Sequence, residues 1–198
     1  MTRQPVAVEL PQMAREYGLA YDLAVIAGGS LFLAACARVS FPVPFSPVPV
    51  TGQTFGVLLL GMLLGGWRAA SAVTLYLLEG IAGLPVFAAG AGPGYLLGPT
   101  GGYLLSFVPA AWVTGQLAQR GWDRTHGRTL AAMGLGTAII FVGGCTWLTI
   151  LTGSVTTALA TGFTPFLSGA VVKIALATAL LPLGWRIGRA LHFSERTS

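Results

Sequence analysis

Six apolar stretches, broken only by short polar segments, fill most of this 198-residue chain, and no other feature limits its fold as strongly. They cover residues 19–37, 51–66, 69–84, 98–117, 130–151 and 165–187. Crossing ~30 Å of hydrocarbon takes about 20 apolar helical residues. The second and third stretches are shorter, and only Trp67 and Arg68 separate them, which reads as a tight hairpin. Charged residues make up 9% of the chain and hydrophobic ones 54%, whereas a soluble domain carries roughly 25% charged residues. A surface so poor in charge has lipid rather than water as its solvent. The 28 glycines suit close approach of membrane helices. The expected fold class is all-α: a polytopic membrane protein, a bundle of six transmembrane helices with irregular outer loops. It forms a single membrane domain, with a cytoplasmic N-terminal segment 1–18, the bundle at 19–191 and a C-terminal tail 192–198.

The arginines set the orientation. With the N-terminus inside, the inner segments hold Arg3, Arg15, Arg68, Arg120, Arg124, Arg128, Arg186, Arg189 and Arg196, and the outer ones hold only Arg38. That nine-to-one bias follows the positive-inside rule and predicts both termini in the cytoplasm, with 88–92 and 153–161 outside. Trp67, Trp122 and Trp185 fall near the inner ends, where interfacial aromatics belong. The net charge of +5 is therefore a topology signal, and no nucleic acid is expected as a partner. Leu33-Ala34-Ala35-Cys36 also fits a lipoprotein cleavage box, but a lipoprotein would continue as an exported soluble domain, not as five more apolar spans. Cys36 and Cys145 sit in apolar runs and read as small buried hydrophobes.

The outer loops differ from the inner ones. Residues 42–49 hold four prolines, which forbid helix and favour extended backbone. Residues 83–102 are rich in glycine, hold three prolines and carry no charge. Irregular apolar backbone is tolerated in a membrane where it packs on protein or lines a cavity. The segment reads either as a lid over an outward-opening pocket or as a tight connection dipping into the interface.

Charged side chains within membrane segments are rare and mark function by default. Lys173 lies too deep in the sixth span to reach the inner surface, and suits an anionic ligand group. Glu79, near the outer end of the third span, suits either a ligand or a tether for the 83–102 loop. Gln53, one turn into the second span behind a Thr51 cap, suits a neutral polar ligand group or a bond to a neighbouring helix. Tyr76, Tyr95 and Tyr103 flank the same region. Arg38 complements the C-terminal dipole of the first helix, and His126 and His192 belong to solvated basic segments. No paired intramembrane carboxylates, Ser-His set, metal-spaced cluster or nucleotide loop occurs, so neither a catalytic function nor a cofactor is expected.

Four blocks together resemble the BioY family of biotin-binding substrate (S) components of energy-coupling factor (ECF) transporters. Residues 43–54, Val-Pro-Phe-Ser-Pro-Val-Pro-Val-Thr-Gly-Gln-Thr, resemble its proline-rich P-V-P-x-T-x-Q-T signature. Residues 83–87 look like its G-L-P-V-F segment, and residues 98–104 match its G-P-T-G-G-Y-L motif. Residues 165–173 are similar to its P-F-x-P-G-D-x-x-K motif, with Ser168 and Ala170 in place of the proline and aspartate. The resemblance implies a six-helix bundle in a bacterial inner membrane with a biotin pocket near the outer face. The ligand-binding residues it leads us to expect are Gln53, Glu79, Phe87, Thr100, Tyr103 and Lys173. The aspartate absent at Ala170 would accept from the ligand's ureido N–H groups, a role left to Gln53 or Glu79. The implied partners are biotin, membrane lipid, a transmembrane coupling protein and cytoplasmic ATPase subunits. The coupling protein would dock on the small-residue stripe Ala20, Ala24 and Gly28. Three other functions stay open: the same fold with another small vitamin-like ligand, an intramembrane enzyme using Glu79 and Lys173, and a structural subunit.

Overall fold

The computed structural model describes residues 18–179. The expected end of the sixth span (180–187), residues 1–17 of the N-terminal segment and the C-terminal tail lie outside the described residues. The chain runs through α1 (Gly18–Arg38), a two-residue strand pair β1 (Ser40–Phe41) and β2 (Val50–Thr51), α2 (Gln53–Leu64), α3 (Gly66–Ile81) and the short α4 (Pro93–Leu97). It continues through α5 (Gly101–Gln119), α6 (His126–Thr152), α7 (Val155–Gly162) and a single 3-10 turn (Thr164–Phe166). Helix α8 occupies 167–179. The fold is an all-α polytopic membrane bundle. Among the described residues, three segments are long and apolar enough to cross a bilayer unaided: Gly18–Arg38, His126–Thr152 and Val155–Ala179.

Helix α5 is the hub, packing on α2, α3 and α6, while α1 lies against α3. Lipid gives helices no hydrophobic reason to associate, so close backbone approach matters. At Gly115 of α5 a Cβ would stand 2.4 Å from the backbone of Gly65 and Gly66, so the α2–α3 turn presses directly on the α5 backbone. The outward faces of the bundle carry exposed apolar side chains such as Leu31, Trp112, Val142 and Val171. Exposed leucine and valine at that density suit lipid.

Two local expectations are corrected. The hairpin between the second and third spans turns at Gly65, where φ is 80°, and not at Trp67-Arg68. Hydropathy locates polarity, but only glycine enters that backbone region without strain. Trp67 and Arg68 instead form the first turn of α3, and Arg68 Nε donates to Asp22 Oδ1 at 2.7 Å, tying α3 to α1. Second, the spans read at 51–66 and 69–84 become helices of 12 and 16 residues. Thr51 belongs to β2, which pairs antiparallel with β1 in the register Ser40↔Thr51 and Phe41↔Val50. The proline stretch is the loop of that ribbon. The segment 153–161, expected outside, is mostly helix α7. Its cap is Ser154, whose Oγ accepts from the Thr157 amide at 3.2 Å.

Candidate ligand-binding site

Helices α2, α5, α6 and α8 leave a cavity between them under the proline ribbon. Its free volume, with the open solvent at the mouth included, is about 820 Å³. Its mouth is formed by Val48–Thr51, and it deepens past Phe55 and Leu58 of α2 and past Leu104 and Phe107 of α5. The walls are mostly apolar, and a few polar groups converge near the top.

Lys173 is the charged group among them. The 3-10 turn brings Phe166 to the cavity, and helix α8 presents Gly169, Ala170, Lys173 and Ile174, spaced as one helix face. The Lys173 ammonium donates to the Thr51 carbonyl at 2.5 Å and to Thr54 Oγ1 at 2.7 Å. An ammonium carries three donors, so one remains. The proline ribbon thus holds the lysine upright at the mouth.

Gln53 is buried at the cavity edge, and its Nε2 donates to the Tyr76 hydroxyl at 2.5 Å. Tyr76 in turn donates to the Val86 carbonyl at 3.1 Å. A carbonyl can only accept, so the order of donors fixes the amide of Gln53: nitrogen toward Tyr76, oxygen free of it. Thr100 and Tyr103 also line the cavity. Tyr103 contributes its ring, since its hydroxyl turns away to donate to the Gly162 carbonyl of α7 at 2.7 Å.

Two of the residues named from the sequence do not line the cavity. Glu79 accepts a hydrogen bond from Ser30 Oγ of α1, so its carboxylate lies in the α1–α3 contact. Phe87 is buried beneath the 82–100 loop. Its ring packs on Gly80, where a Cβ would lie 2.0 Å from it, and it meets Tyr76 edge-on at 5.5 Å. It reaches the cavity at one remove, by stacking on Tyr95 at 5.1 Å, and Tyr95 is part of the wall. The loop above is pinned at several points. Arg38 donates to the Pro85 carbonyl, Trp147 Nε1 to Gly98 at 2.9 Å, and the Gly92 amide to Gly80 at 2.7 Å. Apolar backbone is held on protein there, as its lack of charge required.

Sequence reasoning missed the α6 wall: Met133, Thr137, Ile140 and Phe141. Their spacing of four, three and one marks one face of a helix, yet in an all-apolar span that face has no contrast. Thr137 alone differs from its neighbours there.

A multi-pass membrane helical bundle with a small, mostly apolar cavity beneath its loops defines the class: an integral membrane protein with a small-molecule site. Comparison gives the family. The sequence model described as the BioY family matches residues 6–190. The chain is 36% identical to the "Biotin transporter BioY2" of Lactococcus lactis subsp. cremoris, over 89% of this chain and 94% of that one. It is 37% identical to the "Biotin transporter BioY" of Thermotoga maritima, over 70% and 81% of the two chains. The crystal structure of the S-component for biotin from an ECF-type ABC transporter superposes with a TM-score of 0.73. At 23% identity it covers 85% of this chain and 93% of its own, and it shares the fold. The chain belongs to the BioY family.

Proposed function

We propose that this chain is a membrane-embedded biotin-binding subunit that mediates biotin uptake. The observation that carries the reading is Lys173, an intramembrane cation with a donor to spare at the mouth of an apolar cavity. Biotin is an acid with an apolar chain and a ureido ring, and its carboxylate suits that position. Relatives named for biotin transport support the same assignment. Gln53, Thr100, Tyr103 and Lys173 line the site. Phe87 acts through Tyr95, and Glu79 acts from outside the wall by holding α3 on α1. The site binds and releases; it performs no catalysis and takes no cofactor.

The rest of the proposal concerns setting and partners. The chain is one membrane domain in a bacterial inner membrane, surrounded by lipid, with both termini cytoplasmic. A transmembrane coupling protein and cytoplasmic ATPase subunits supply the energy. The coupling protein docks on Ala20, Ala24 and Gly28, which are exposed on α1. A Cβ added at Gly28 would meet nothing within 4 Å.

Mass spectrometry of protein purified from biotin-replete cells, with binding of labelled biotin to the washed protein, tests the reading. Copurified biotin and saturable binding are expected. Saturable binding of a different vitamin-like acid, with none of biotin, would overturn the ligand assignment. Ala170 on the wall makes that the outcome to watch.

A further inference from the structure

Among the described residues that line the cavity, Gln53 alone carries a side-chain carbonyl. Its amide can meet a ligand in two ways, through the NH2 group or through the oxygen, and the two select opposite ligand groups. Tyr76 decides between them. It is fully buried on α3, behind the wall, and does not reach the cavity. Its hydroxyl hydrogen is committed to the Val86 carbonyl at 3.1 Å, so only lone pairs are left for Gln53, whose Nε2 donates to them. Turned over, the amide would set its oxygen against the tyrosine oxygen, two acceptors with no hydrogen between them. Among the described residues nothing donates to Gln53 Oε1, and the atom is not sealed from open space either. The open space that Gln53 borders is the cavity. The tyrosine is itself held in place. Phe87 meets its ring edge-on at 5.5 Å, and Arg38 pins the Pro85 carbonyl next to Val86.

We infer that Tyr76 is a positioning residue that locks the Gln53 amide with its oxygen toward the ligand, so that the site selects a neutral N–H donor. The inference rests on the biotin reading above and extends it. Thr51 and Thr54, on either side of Gln53 in the chain, both bond the Lys173 ammonium, so the amide stands on the segment that faces α8. On that helix Ala170, three residues before Lys173, lines the cavity without a polar group. The Gln53 oxygen is then the amide acceptor on that side of the cavity, and a ureido N–H is the group it fits. Burying such an N–H without an acceptor costs as much as a lost hydrogen bond to a desolvated group. Without the tyrosine hydroxyl, keeping the oxygen forward would leave the NH2 group unpartnered behind the wall. Turning it forward would offer the ligand a donor instead.

The test is titration calorimetry on detergent-purified protein, with biotin and with its two cyclic carbamate analogues, each carrying a ring oxygen in place of one ureido N–H. Wild type should bind at least one analogue about tenfold more weakly than biotin. Tyr76→Phe keeps the ring and removes the hydroxyl. It should weaken biotin about fivefold and cut the preference over that analogue to about twofold. Gln53→Ala separates positioning from packing. In that background Tyr76→Phe should change biotin affinity by less than about twofold, because the amide it orients is gone. The same fivefold loss there would show Tyr76 acting through the packing of the 82–100 loop, and would overturn the inference. Wild-type affinity and preference in Tyr76→Phe would overturn it too. So would equal binding of biotin and both analogues by the wild type, a result that needs no variant to fold and leaves the biotin reading standing. Absence of biotin binding by the wild type would overturn that reading, and this inference with it.

Discussion

Lys173 and Glu79 are both ionisable side chains in membrane spans, yet they occupy unlike regions. Around Lys173 the chain is irregular. A proline ribbon supplies a carbonyl and a threonine hydroxyl to the ammonium, and an apolar cavity lies beside it. Around Glu79 the chain is regular helix, and its partner is Ser30, a buried residue on α1. Both groups answer the requirement that a charge in lipid find a polar partner. Only one does so beside open space. An intramembrane charge therefore locates a polar contact; whether that contact serves a ligand depends on whether room is left next to it.

The contrast breaks most sharply under substitution of the two charges. Losing a charged partner of a desolvated ligand group costs ~2–5 kcal/mol. Lys173→Ala is therefore expected to weaken biotin binding by well over tenfold, with the protein still folded in detergent. Unchanged affinity in a calorimetric titration would remove Lys173 from the site and erase the distinction from Glu79.

Ala170 tests the same wall one turn earlier. It faces the cavity together with Lys173. Ala170→Asp places an anion within reach of the ammonium and of the ligand, and biotin affinity should change by roughly tenfold. The direction depends on which partner the new carboxylate takes. No change at all would mean that the ligand stays clear of the α8 face.

Glu79→Ala should do the reverse. It leaves the buried Ser30 hydroxyl without its acceptor, at a cost of ~1–3 kcal/mol in stability. The thermal midpoint should fall by several degrees while biotin affinity stays within about threefold. A large loss of affinity at an unchanged midpoint would place Glu79 at the ligand after all.

Much of this was legible in the sequence, for physical reasons that differ by region. The helices follow from the length of the apolar runs, because a span must satisfy its own backbone. The cavity mouth was legible because proline, lysine and glutamine stand out against an apolar background. The Gly65 turn was misplaced because polarity at Trp67-Arg68 draws the eye while backbone conformation does not. The α6 wall was invisible for the opposite reason: Met133, Ile140 and Phe141 look the same whether they face lipid, protein or a cavity. Nor does spacing along the chain show that Tyr76 joins Gln53 to Val86 or that Phe87 seats on Gly80. Those contacts arise only when α3 packs and the 82–100 loop folds over it.

Helix α1 carries the contrast to its second face. Inward it presents Ser30, Leu33 and Ala37, all buried, and through Ser30 it holds Glu79. Outward it presents Ala20, Ala24 and Gly28, spaced four apart on one stripe and exposed along its N-terminal half. None of the three lines the cavity. Small residues let a partner helix approach closely, and in lipid such packing is a main source of association. Ala24→Leu should hold a coupling helix away and lose those contacts. Biotin affinity of the isolated subunit is expected to stay within error of wild type, the smallest change in this series. Cellular uptake of labelled biotin, and copurification of the coupling and ATPase subunits, should both fall. Loss of binding along with uptake would make the stripe part of the bundle's own packing. Unchanged uptake and assembly would show that the partner docks on another face of the bundle.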